Sequence, residues 1–329
     1  MNSSPTTTTI MPSICRATNE CLGTCEAYSQ FKVMNKQESL PEYRCSDYLA
    51  YAEAMEGMSS LESSTNIEPI DVECRVRMVE WCFQVVDFAK LGRETVNLAM
   101  SLLDRYLSVS CADAHEVILS RQKYQLASMT TLFLAIKMIE KTFVNASVFA
   151  ELSRGSFTAA DILSMETSIL EALKWRVNGP TTHSFLRYLI NISSKGSASS
   201  LATKYSLGDL CVFQLDLSVG DYFFCAKKPS LIAIAALMNA VQTSHEISIK
   251  EADEFTEVMQ HICEVDICAL EIQSIMSRLR LLLKNNGIEI QLQNKQKFPF
   301  ERRMSPVCIT GIPNVISDAS MSEHSDLQR

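Results

Sequence analysis

No CxxC pair occurs in this 329-residue sequence, although twelve cysteines run from Cys15 to Cys308. The nearest metal-like spacings, Cys21 to Cys25 and His261 to Cys263, lack a second ligand pair at zinc-finger distance, so no metal site and no cofactor are expected. Cys74, Cys82 and Cys211 fall on apolar helix positions, where thiols act as small core hydrophobes in a reducing compartment. Long apolar runs are also missing. The longest, Leu231 to Met238, is far short of the ~20 residues that cross a bilayer. The opening MNSSPTTTTIMP has neither the charged start nor the apolar centre of a secretory signal, and a soluble intracellular chain is expected. An excess of positive charge is absent too: 30 basic residues face 38 acidic ones, for a net charge of −8. That removes a general attraction to nucleic acid or anionic membrane and makes a protein the expected partner. Finally, there is no proline between Asp71 and Gly179, so no proline breaks a helix there.

What is present is helical periodicity, and an all-α fold follows. Residues 1–40 are Ser/Thr-rich and aperiodic and are expected to be disordered. Tyr43, Asp47, Tyr51 and Met55 recur every four residues, which predicts a short amphipathic helix closing at Gly57. A first block then predicts helices over about Asp71–Leu91 (ending at Gly92), Glu94–Val109, Leu119–Glu140, Ala146–Leu152, and from Thr158 to the stop at Asn178-Gly179-Pro180. Thr158 and Asp161 form a capping-box pattern. A second block predicts helices near Thr182–Ile192, Leu201–Val219, Pro229–Gln242, Ala252–Cys263 and Ile267–Asn285, so the order of five helices repeats. Beyond Gly287 the chain is polar and proline-punctuated, and disorder is expected over residues 287–329.

Within the first block, Arg75 and Asp104 stand 29 residues apart, and so do Lys137 and Glu166. Each of Arg75, Asp104 and Glu166 interrupts an apolar helix line. Two helices packing the Arg75 and Asp104 stripes would each bury an unpaired charge unless the two meet, which predicts a structural ion pair; the alternative is that both snorkel to solvent. Lys137, near a helix C-terminus, could simply offset the helix dipole. Glu166, between Ile162 and Ile169, either caps something or faces outward at a seam.

The segments CRVRMVEW, LLDRYLS, LFLAIKMIE and ILSMETSIL, in this order, resemble the first cyclin box, and TSILEALKWRVNGPTTHSFL resembles its fifth helix and the crossing into a second box. LATKYSLGDLCVFQLDL and KKPSLIAIAALMNA are similar to the C-terminal cyclin fold. The resemblance covers about Tyr43 to Asn285 and implies tandem five-helix cyclin folds, with an N-terminal helix and first box over 41–180 and a C-terminal fold over 181–286. It implies that Arg75 pairs with Asp104 inside the box. It implies that Lys137 and Glu166 face outward and hydrogen-bond main-chain groups of a cyclin-dependent kinase near its mobile αC helix, in a one-to-one heterodimer. The chain would then be a kinase regulatory subunit and not itself an enzyme. Around Cys111 to Val117 an insertion is expected to enlarge one loop.

The resemblance also implies a substrate-docking groove, through which kinase substrates or inhibitors would bind, whose match here is Cys74, Arg77, Met78, Trp81, Gln84, Tyr124 and Gln125; Trp81 could equally be ordinary core. Arg77 replaces a usual aliphatic residue and Gln84 a usual acid, so an altered motif preference is expected. The N-terminal region lacks an R-x-x-L destruction box and an L-x-C-x-E motif, and the chain looks most like a divergent D-type or G1 cyclin acting at G1/S, nuclear and cytoplasmic. Ser305-Pro306, preceded by Arg302-Arg303, and Ser4-Pro5 are minimal proline-directed phosphorylation sites. Two other classes compete. A transcription-factor-IIB-like protein should carry a zinc ribbon and basic helices, and an α-helical enzyme should carry paired carboxylates or a nucleophile turn; neither set is found.

Overall fold

The computed structural model describes residues 19–59, 68–140, 144–193, 201–244 and 247–288. Expectations for the two ends, Ser4 and Ser305 included, lie outside these residues. Thirteen α-helices occur among the described residues: α1 (Asn19–Glu38), α2 (Tyr48–Ser59), α3 (Val72–Phe88), α4 (Glu94–Leu107), α5 (Ala112–Ile118), α6 (Arg121–Ile139), α7 (Ala146–Leu152), α8 (Ala159–Ala172), α9 (Thr182–Ser193), α10 (Leu201–Gly220), α11 (Pro229–Thr243), α12 (Ile249–Cys263) and α13 (Leu270–Asn285). No described helix is long and apolar enough to cross a membrane.

Two apolar cores organise them. α6 lies at the centre of the first and is buried on all sides from Ala127 to Ile136. The hydroxyls in that stretch donate within the helix, Ser128 to the Tyr124 carbonyl and Thr130 to that of Leu126, so polar atoms enter the core without a penalty. α3, α4, α5, α7 and α8 pack around it. α11 plays the same part in the second core, buried from Ser230 to Val241 and surrounded by α1, α9, α10, α12 and α13. Its proline occupies the first turn, where a missing N–H costs nothing.

Five expectations need correction. Residues 19–38 are helical, because Ala27, Phe31 and the neighbouring Tyr28 and Met34 make an apolar stripe that packs on the second core; Phe31 meets Phe185 edge to face at 5.6 Å. The expected enlarged loop is instead α5, whose Ala114, Val117 and Ile118 are buried. The short helix begins at Tyr48 and buries Tyr48, Leu49 and Ala52, while Tyr43 sits in a preceding 3-10 turn. α3 ends not at a glycine but with Lys90 in the left-handed region, and α8 stops early because Lys174 and Trp175 both adopt positive φ.

Candidate functional site

α3 carries Arg75 on its buried line because Asp71 caps the helix and sets its phase: the Asp71 carboxylate accepts from the Cys74 N–H at 2.7 Å. α4 presents Asp104 to the same place. Arg75 grips Asp104 with both terminal nitrogens, Nη2 to Oδ2 at 2.9 Å and Nη1 to Oδ1. Tyr48 of α2 completes the arrangement, accepting from Arg75 at 3.0 Å and donating to Asp104 at 2.9 Å. Burial pushes the Tyr48 phenol well up, so it stays a donor. A further Arg75 bond reaches the Val219 carbonyl of α10 at 3.2 Å. The pair therefore joins α2, α3 and α4 to the second unit. Tyr48 and Val219 escaped sequence reading, although the Tyr48-Leu49-Ala52 spacing was a usable signal for the inward face of α2.

Lys137 and Glu166 are brought together as well, which corrects the expectation that both point outward to await a partner. The Lys137 ammonium donates to Glu166 Oε1 at 2.5 Å and lies 4.8 Å from the centre of the Phe133 ring. Their surroundings differ. The Lys137 side chain is 43% exposed and that of Glu166 only 10%, because α8 turns Glu166 inward between Ile162 and Ile169 against α6. α8 is held in register by its capping box, with Thr158 and Asp161 each bonding the other's backbone. One turn before Glu166, Leu163 is exposed, and past the end of α8 the strained Trp175 is 69% exposed. An ion pair with one open edge, with exposed apolar side chains on and just past the same helix, can offer both charge-assisted hydrogen bonds and apolar contact.

The residues matched to the docking groove separate. Cys74, Met78, Trp81 and Gln84 are half-buried along α3, and Gln125 is exposed on α6. Trp81 packs partly against the first core. Tyr124 is corrected: it is 1% exposed, because α6 points it inward beside the Arg75–Asp104 pair, and burial pushes its phenol up. Arg77 is exposed and bound to Glu73 one turn away at 2.5 Å. Among the described residues no cluster of three metal-ligating side chains occurs.

The family model for the cyclin N-terminal domain matches residues 45–178, and that for the cyclin C-terminal domain matches residues 180–308. Cyclin-A2-1 of Arabidopsis thaliana is 28% identical over 233 residues, which is 70% of this chain and 49% of that protein. Cyclin-A3-3 of the same plant is 31% identical over 173 residues, 53% of this chain and 50% of that one. The chain thus spans about half the length of these curated relatives. Among solved structures, a viral cyclin from herpesvirus saimiri superposes with a TM-score of 0.53 at 17% identity, over 66% of this chain and 87% of that one. Two apolar cores built on α6 and α11, an ion pair tying the first core to α10, and family models that together span both cores lead to one conclusion: the chain belongs to the cyclin family.

Proposed function

We propose that this chain binds a cyclin-dependent serine/threonine kinase one-to-one and activates it allosterically, with its effect in G1/S progression and a nuclear and cytoplasmic distribution. The observation that carries the kinase reading is the Lys137–Glu166 pair, anchored at one end and open at the other on the α6–α8 face. An active kinase needs its αC glutamate paired with a strand lysine so that the ATP phosphates are held. A rigid helical face that packs better against the active position of αC shifts the kinase toward that state by its difference in affinity. The chain's own part is to bind and to hold; the phosphoryl transfer belongs to the kinase. Rigidity comes from the core beneath, where α6 is buried on all sides. The named relatives are A-type cyclins, so the D-type or G1 subtype rests on the resemblance of the first box alone.

Affinity purification of the tagged chain from cycling cells tests the proposal. A cyclin-dependent kinase is expected in stoichiometric amount, with protein kinase activity in the eluate above that of the kinase alone. An eluate without such a kinase contradicts it.

A further inference from the structure

α12 lies thinly covered on the second core. It packs chiefly on α11, and among its described side chains only Met259 and Cys263 are buried. Val258 is 45% exposed. One turn on, along the same line of the helix, Ile262 is half-buried at a cavity it shares with Phe31, Lys32, Asn35, Cys263 and Glu264. Exposed carboxylates border this apolar line: Glu251, Asp253, Glu254 and Glu257 on the helix and Glu264 at its end. Lys32 meets Glu264 at 2.9 Å and Lys250 approaches Glu254 at 3.8 Å, while Asp253 and Glu257 have no ion-pair partner among the described residues.

An apolar line bordered by carboxylates fits a segment with aromatic and basic side chains, and this chain carries one. Residues 295–304, KQKFPFERRM, hold Phe298 and Phe300 together with Lys295, Lys297, Arg302 and Arg303 against a single acid, Glu301. The family model for the C-terminal domain runs to residue 308, twenty residues past the last described one (308 − 288 = 20). The path of the chain agrees. Arg280, near the end of α13, donates to Gln242 Oε1 at 2.6 Å, so α13 ends on the side of the unit where α11 ends and, after a short connection, α12 begins. Residues 289–294 reach at most roughly 20 Å, and α12 is about 22 Å long. We propose that residues 295–304 dock along α12 of the same chain, with Phe298 and Phe300 on Val258 and Ile262 and the basic side chains on the α12 carboxylates. Pro299 favours an extended Phe298. Alternate residues of an extended segment share a face about 7 Å apart, which matches the step of about 6 Å from Val258 to Ile262.

The test couples amines to carboxylates in the full chain with a carbodiimide, using an equal mixture of unlabelled and nitrogen-15-labelled protein, and maps the linked peptides by mass. Links from Lys295 or Lys297 to the α12 carboxylates are expected, each joining two unlabelled or two labelled peptides. Hydrogen exchange supplies a second readout: in Phe298→Ser combined with Phe300→Ser the α12 amides should exchange at least ~3-fold faster than in wild type, with those of α6 unmoved as a control of folding. Three results overturn the proposal: no link to α12, links that join labelled to unlabelled peptides and so place a second copy on this face, or equal α12 exchange in the variant and wild type.

Discussion

Arg75 is the residue on which most of the molecule converges. Its guanidinium holds Asp104, shares Tyr48 and reaches the Val219 carbonyl across the two units. Arg75→Ala would leave a buried carboxylate with only a tyrosine donor, and losing one half of a buried pair costs about 3–5 kcal/mol. Thermal unfolding should therefore begin well below the wild-type transition, while Arg75→Met combined with Asp104→Leu should recover much of the loss, since no charge then stays buried. Glu38 offers a test by pH. Its carboxylate accepts from the Ser230 N–H at 3.0 Å and the Ser230 hydroxyl at 2.5 Å, capping α11 from a distant helix. Burial raises its pKa above the ordinary 4.5, against the pull of those bonds. A carboxyl raised in the folded state binds more protons folded than unfolded just above that value, so stability falls as pH climbs through the window. Chemical denaturation of wild type and Glu38→Gln across that range should show the wild type losing stability relative to the variant as pH rises, and two parallel curves would contradict it.

At the scale of elements, the helices were legible where caps and apolar lines coincide. Thr158 with Asp161, Pro229, and Asn286 with Gly287 all act at the ends their types suggest. α1 was hidden because a Ser/Thr-rich leader averages out the four-residue stripe from Ala27 to Met34, and the partner of that stripe, Phe185, is far along the chain. The end of α3 was misplaced for a different reason. Gly92 looks like the natural stop, but Leu91 already bonds back to Val86, and that closure forces Lys90 into the left-handed region. Lysine is strained there and glycine is not, so Lys90→Gly should stabilise the protein by about 0.5–1 kcal/mol. Urea unfolding would show it as a raised midpoint with an unchanged slope; a lowered midpoint would mean that the Lys90 side chain contributes more than its backbone costs.

For the whole molecule, the charges on apolar lines told which residues need partners but not always where the partners are. Arg75 and Asp104 sit deep in adjacent helices, and each is the other's charged partner. Lys137 and Glu166 could equally have pointed apart, and the packing of α6 on α8 decides that they meet. This changes what their removal should do. Lys137→Ala alone strands a buried Glu166 and should lower the melting temperature, whereas the double variant removes both charges and should melt close to wild type. The decisive measurement is then the affinity of a purified cyclin-dependent kinase for the wild-type chain and for Lys137→Ala combined with Glu166→Ala, each folded by its melting curve. Binding weakened at least ~10-fold, about 1.4 kcal/mol, together with loss of kinase activation, is the predicted result; equal affinity and equal activation would contradict the placement of the kinase on this face.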